Sequence, residues 1–310
     1  MPINPAGGTE VLKKALDKVF DEYAQDIEIL SLIKEDTVLP RKKLVFWQHL
    51  FLNDPHTAIY QNKNIMAKVD QFVFVSHWQQ GHFCTMYNLP LDKCMVIKNA
   101  ANATEYKPKQ KTDKLKLIYT STPWRGLDVL LKAFELLKRD DVELHVYSSL
   151  DIYGAGFKQT ISDKDRELYE QWFKVAGLLP NSYYHGYATN EEILKQLQDT
   201  HILAYPSIFQ ETSCLAAIEA MMAGCKVVTT NFGALPETCG DWATYVPYGR
   251  DRVDLAKRYA EVLNQEIDRY WDEANHKRLE RQVAHYNDFY SWDARIPQWR
   301  AFLDGVRNAA

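Results

Sequence analysis

Two carboxylates, Glu211 and Glu219, stand in the stretch QETSCLAAIEAMMAG (residues 210–224), a run otherwise made largely of small and apolar side chains. If a helix starts near Thr212 and ends at Gly224, Leu215, Ile218 and Met222 form its apolar face. Glu211 then precedes the first turn, where Thr212, Ser213 and Cys214 offer free backbone N–H groups to hydroxyls or anions. Glu219 is the only charged residue between Glu211 and Lys226. A carboxylate among alanines and methionines loses hydration that hydrogen-bond donors must replace, and a ribose diol would supply two. The competing reading puts Glu219 in solvent and makes Glu211 an N-terminal acid favoured by the helix dipole. The residues alone leave both readings open.

Positioning such groups falls to the rest of the chain, whose 310 residues favour two domains over one core. A net charge of -4 argues against nucleic acid as the main partner, because phosphate-backbone binding shows as a basic excess. MPINPAGGTE does not resemble a signal peptide, and no apolar run approaches the roughly 20 residues that span a bilayer, so a cytoplasmic protein is expected. The five cysteines form no CxxC pair and leave an odd one out, which suits buried reduced thiols better than a disulfide frame or a zinc site.

Apolar runs of strand length alternate with amphipathic stretches from end to end, the rhythm of a parallel α/β protein. A helix over 11–23 is followed by strands at 27–33, 44–47, 72–75 and 94–98. The polar, basic stretch ATEYKPKQKTDK (103–114) is the linker candidate. Beyond it come strands at 115–120, 142–148, 182–185, 201–207 and 226–230, with helices between them, and a final helix at 296–306. Two Rossmann-like domains, residues 1–112 and 113–290, would face each other across a central cleft at the carboxyl ends of their sheets, with 291–310 packing back on the first.

Several segments, in order, resemble the retaining glycosyltransferases of family 4, which have the GT-B fold. They are the spacing E-x7-E from Glu211 to Glu219 followed by AMMAG, the preceding YHGYATNEEILKQLQDTHILAYPS, the following NFGALPE, and upstream VDQFVFVSHWQQ and VIKNAAN. The resemblance places Glu211 beside the donor sugar, the backbone of Thr212, Ser213, Cys214 and Leu215 on the sugar hydroxyls, and Glu219 on the ribose. TSTPWRGLDVLL resembles the family's phosphate-binding turn and gives Arg125 to the pyrophosphate, where a cation stabilises the departing charge. Where many members carry a second basic residue, this chain reads Tyr119, Thr120, Ser121.

Gly7 and Gly8, ahead of the first helix, resemble the family's glycine loop, whose backbone approaches the donor. MPINPA cannot build the strand that usually precedes that loop, so a shortened first domain, or a chain start inside an ancestral gene, is expected. His49, after the strand LVFW, resembles the family's histidine near the reacting sugar carbon. Asp163-Lys164-Asp165 fits a metal-binding D-x-D only formally; ISDKDRE reads as a helix start with N-cap acids, and no catalytic metal or other cofactor is expected.

The implied reaction transfers a sugar from a nucleotide diphosphate donor to a hydroxyl acceptor on a glycan, a lipid or a small molecule, with retention at the anomeric carbon. The departing phosphate would take the acceptor proton. The alternative is a nucleotide-sugar-binding protein of the same fold with weak or no catalysis, motivated by the missing strand and the missing second cation. An epimerase or phosphorylase fits the E-x7-E spacing poorly, and a dehydrogenase lacks G-x-G-x-x-G after a strand. Peripheral membrane contact has only the mixed-charge first helix to support it.

Overall fold

The computed structural model describes residues 7–309 apart from Tyr153, Ala155, Phe157 and Lys158. The expectation about MPINPA therefore concerns residues outside this range. Two parallel sheets organise the chain, each covered by helices on both faces, as the near-continuous apolar strands require.

The N-terminal sheet runs β1 (Ile27–Leu30), β2 (Lys43–Gln48), β3 (Gln71–Phe74), β4 (Cys94–Val96) in that spatial order, all parallel. Alternation along its strands splits the core into two layers. Val45, Trp47 and Val73 face one side, where α1 (Gly8–Asp21) brings Leu12, Leu16 and Val19. Leu44, Phe46, Phe72 and Phe74 face the other, against Tyr60 and Phe83, the latter on α3 (His77–Tyr87), which follows the short α2 (Lys63–Met66). The last helix starts earlier than its sequence suggests and lies on the first of these layers, with Trp299 edge-on to Trp47 at 5.1 Å between ring centres.

The C-terminal sheet holds β5 (Leu115–Tyr119), β6 (Val142–Val146), β7 (Ser182–Tyr184), β8 (Ile202–Tyr205), β9 (Lys226–Thr230) and β10 (Thr244–Val246) in the order β10-β9-β8-β5-β6-β7. From β5 the chain moves outward through β6 and β7, then returns to place β8 on β5's other side, with Leu117 opposite Ile202. The strand order reverses at the β5/β8 boundary, the place where open parallel sheets bind ligands. The connecting helices are α4 (Leu127–Leu137), α5 (Asp163–Leu178), α6 (Asn190–Asp199), α7 (Leu215–Met222) and α8 (Leu235–Cys239), followed by α9 (Arg252–Asp268), α10 (Glu273–Tyr290) and α11 (Trp292–Asn308).

Three sequence expectations need correction. The helix after Glu211 begins at Leu215 rather than near Thr212, because Cys214 takes a left-handed conformation (φ 61°) and the residues before it curl as a loop. That helix is buried all round instead of presenting one apolar stripe, since it is wedged between β9 and α10. The 103–114 segment forms no regular element, as a linker should, yet it is pinned: buried Lys109 donates to the carbonyls of Leu197, Gln198 and Ala223 at 2.7–2.8 Å, satisfying the ends of α6 and α7.

Candidate active site

A cleft of about 1240 Å³ opens between the carboxyl ends of the two sheets. Gly7, Gly8, His49, Arg125, Glu211, Thr212, Cys214, Leu215 and Glu219 all line it. Ser213 does not: it is buried behind the loop, where its carbonyl accepts a hydrogen bond from Thr238 Oγ1 at 2.5 Å.

Arg125 ends a single 3-10 turn, Pro123–Arg125, just beyond β5. The next residue, Gly126, has φ 121°, and a Cβ there would stand 2.3 Å from the carbonyl oxygen of Pro206 at the end of β8. Only glycine allows the β5 and β8 loops to meet so closely. The contact is extended when Ile208 N–H donates to Arg125 O at 3.2 Å. Arg125 thereby lies over the Phe209 ring, 4.2 Å from its centre, and its Nη1 reaches both oxygens of Glu211 at 2.8 and 2.9 Å.

Glu211 is 3 % exposed. Besides Arg125 it accepts a 2.5 Å hydrogen bond from the Tyr205 hydroxyl at the end of β8. Burial, reinforced by the Glu211 charge, pushes the Tyr205 phenol well above its ordinary range, so it stays a donor. The Glu211 backbone is fixed from behind: Ala234 N–H donates to its carbonyl at 2.7 Å, and Gly233 (φ 65°) packs so tightly that a Cβ would fall 2.6 Å from Glu211 N.

Glu219 occupies a different setting on the same wall. It is 7 % exposed, and its one protein donor among the described residues is Asn190 Nδ2 at 2.8 Å. Burial raises its carboxyl to about 7, against the smaller opposing effect of Asn190. Neither a solvent-facing Glu219 nor an ordinary N-terminal acid at 211 fits these placements. Asn190 is the first residue of α6, held by a capping box between Thr189 and Glu192.

Two helix N-termini meet on the lining of the same cleft. Gly7 caps α1, and a Cβ on Gly8 would sit 3.9 Å from Leu215 Cδ2, at the start of α7. Both ends carry a partial positive charge. His49 closes the same side: its carbonyl accepts from Thr212 Oγ1 at 3.1 Å, and its ring lies 4.2 Å from Trp47. Enclosure, helped by the nearby Lys13 charge, lowers the imidazole to about 3, so it is neutral, and its Nε2 has no protein partner among the described residues. Asn99 Oδ1 and Ser148 Oγ, on residues that also line the cleft, are similarly buried without a protein partner.

Lys13, Asn190 and Tyr205 were not singled out from the sequence. Of the three hydroxyls standing where a second cation was sought, Tyr119 is turned away, donating to Thr122 O at 2.7 Å, whereas Thr120 and Ser121 line the cleft. Lys13 of α1 lines it too. Ser162, rather than an acid, caps α5, accepting from Asp165 N–H at 3.1 Å. Among the described residues, no three His, Cys, Asp or Glu side chains are grouped to hold a metal ion and no helix is long and apolar enough to cross a membrane.

Residues 102–278 match the family described as glycosyl transferases group 1. A mannosyltransferase of Mycolicibacterium hassiacum, MMP alpha-(1->4)-mannosyltransferase, is 21% identical over 63% of this chain and 45% of its own. The D-inositol 3-phosphate glycosyltransferase of Streptomyces avermitilis is 22% identical over 77% of this chain and 53% of its own. The chain spans about half the length of the curated relatives it matches. Among solved structures, a glycosyltransferase from Rickettsia africae superposes with a TM-score of 0.72 at 17% identity, covering 100% of this chain and 85% of that one. Anabaena Alr3699/HepE in complex with UDP-glucose gives 0.65 at 17% identity, covering 86% of this chain and 72% of that one. The two-domain architecture is that of the GT-B glycosyltransferases.

Proposed function

The chain belongs to the glycosyl transferases group 1 family, and from that premise we propose that it moves a sugar from a nucleoside diphosphate donor to a hydroxyl acceptor with retention at the anomeric carbon, in the manner of family 4 enzymes. The observation that carries this reading is the pairing of unlike settings on one wall: Glu211 beside a guanidinium and a phenol, Glu219 beside a single amide, with two helix N-termini lining the same cleft.

The diphosphate lies against the starts of α1 and α7, where unpaired N–H groups and the helix dipoles favour anions. Arg125 shares its guanidinium between Glu211 and the diphosphate, and Lys13 with the hydroxyls of Thr120 and Ser121 supplies what a second cation at the β5 turn would. Glu219 accepts the two ribose hydroxyls, which restore the hydration its burial removed. Residues 186–188 on the same wall leave room for the base.

Glu211 accepts from a donor-sugar hydroxyl, and neutral His49 offers Nε2 to the sugar or the acceptor. As the glycosidic bond breaks, negative charge grows on the leaving phosphate under Arg125 and Lys13. The phosphate then takes the acceptor proton as the acceptor oxygen attacks from the same face. No step in this scheme calls for a metal ion or other cofactor.

A thermal-shift screen of nucleoside diphosphates and their sugars, followed by product NMR, tests the reading. One base series should stabilise the protein, and the product anomeric configuration should match the donor's. Stabilisation without turnover would instead favour a binding protein of the same fold, and no stabilisation by any member of the screen would contradict the site.

A further inference from the structure

Two segments that carry no chemistry in the proposed reaction, SHW (76–78) and NFGALPE (231–237), meet across the cleft. Glu237 of α8 accepts from the backbone N–H groups of His77 and Trp78 at 2.9 and 2.8 Å, and Lys98 Nζ stands 2.6 Å from its Oε1. The first turn of α3 is thereby satisfied from two sources: Ser76 Oγ, its own cap, takes Gln79 N–H at 3.0 Å, while a carboxylate from the other domain takes the two N–H groups before it. Burial works against the Glu237 charge, but Lys98 and the two N–H groups outweigh it and hold the carboxyl below its ordinary range.

Glu237 is also tied to the donor wall. Over residues 233–238, Gly233 packs on the Glu211 backbone, Ala234 donates to Glu211 O, and Thr238 donates to Ser213 O. The Glu211 loop itself touches the N-terminal domain through Thr212 on His49 O and the Phe209–Phe51 edge contact at 4.8 Å. Those two contacts are one neutral hydrogen bond and one aromatic pair. Three charge-assisted hydrogen bonds on one carboxylate are the stronger join.

We infer that Glu237 is a positioning residue that clamps the N-terminal domain to the segment carrying Glu211, and so sets the cleft closure at which His49 meets Thr212. The clamp's effect on domain arrangement is independent of the reaction proposed above. Its effect on turnover rests on that reaction.

Hydrogen exchange and small-angle scattering on the full chain, comparing wild type with Glu237→Ala and Lys98→Met, test it. Glu237→Ala should speed exchange of the His77 and Trp78 amides roughly tenfold or more, speed it also over residues 210–214, and enlarge the radius of gyration, with the C-terminal sheet unchanged. Lys98→Met keeps the carboxylate on the two N–H groups and should move the same readouts less, in the same direction. With the donor found by the screen, Glu237→Ala should lower kcat while nucleoside diphosphate Kd stays within about twofold. Faster exchange at 77–78 with no change at 210–214 or in the radius of gyration would leave Glu237 a helix cap and overturn the clamp. So would general loss of protection in Glu237→Ala with Lys98→Met indistinguishable from wild type. Absence of turnover in the wild type would count against the reaction and leave the exchange and scattering comparison intact.

Discussion

A single guanidinium nitrogen of Arg125, Nη1, bridges the two carboxylate oxygens of Glu211 at 2.8 and 2.9 Å, so the proposed leaving-group cation and the proposed sugar ligand are held as one unit. Glu211 is nearly inaccessible, and removing its cation strands a buried charge. Arg125→Met should therefore cost roughly 2–4 kcal/mol of stability in urea unfolding, and turnover should fall by about 10²-fold or more. Arg125→Lys should recover much of the stability and little of the turnover, because an ammonium cannot lie flat on Phe209 while bridging both oxygens.

Glycine matters here for two different reasons, and substitution separates them. Gly126→Ala and Gly233→Ala would each force a Cβ against backbone at a positive φ, so each should destabilise by about 2–4 kcal/mol and displace Arg125 or Glu211. Gly8→Ala meets only Leu215 at ordinary contact distance and should change the melting temperature little. Its effect should appear in nucleoside diphosphate affinity, where the added methyl narrows the gap between two helix ends. Calorimetric melting and titration of the three variants check the contrast.

Much of this was legible in the sequence because it follows from periodicity and turn chemistry. The β5 strand, its Trp-Arg-Gly turn and α4 were readable from LKLIYT and WRGLDVLLKAFELLK, and strand–helix alternation made both sheets parallel, though it does not fix the spatial order of their strands. What escaped was whatever depends on distant packing. Lys109 reads as a solvated linker charge, and only the fold shows three carbonyls converging on it. Cys214 gives no sign of a left-handed conformation, so the start of α7 was misplaced by three residues. Two omissions did have a signal. Tyr205 ends a buried strand, where a phenol needs a partner, and Thr189 with Glu192 spells a capping box that presents Asn190. Helices α9 and α10 carry no motif that marks them in the sequence.

Glu219 and His49, both on the cleft wall, pull stability in opposite directions with pH. Glu219, raised to about 7, binds a proton more tightly folded than unfolded, so its contribution is fully present below its unfolded pKa and is lost as pH rises through 7. His49, lowered to about 3, is protonated more readily unfolded, so its contribution falls as pH drops from about 6.5 towards 3. Glu219→Gln keeps an acceptor for Asn190 and should stabilise the protein by roughly 1–3 kcal/mol at pH 8 and hardly at pH 4. In the wild type, nucleoside diphosphate binding near pH 7 should release a proton fraction that the variant does not, read by titration calorimetry in buffers of different ionisation enthalpy.

In the proposed reaction Lys13, which lines the cleft, stands in for the cation missing from the β5 turn. Lys13→Met should weaken nucleoside diphosphate binding by about tenfold and leave the nucleoside without phosphates unaffected. Its affinity for the diphosphate should also lose part of its dependence on salt. Equal losses for nucleoside and diphosphate would place Lys13 elsewhere in the cleft's work.

The most direct test of the central claim, that the two glutamates have separate tasks in one donor site, is a paired measurement of kcat and nucleoside diphosphate Kd in Glu211→Gln and Glu219→Gln. Separate tasks predict a loss of roughly 10²-fold in kcat with Kd nearly unchanged for Glu211→Gln, and a loss of about tenfold or more in Kd for Glu219→Gln. Parallel loss of the same parameter in both variants, or no change in Kd for Glu219→Gln, would contradict it.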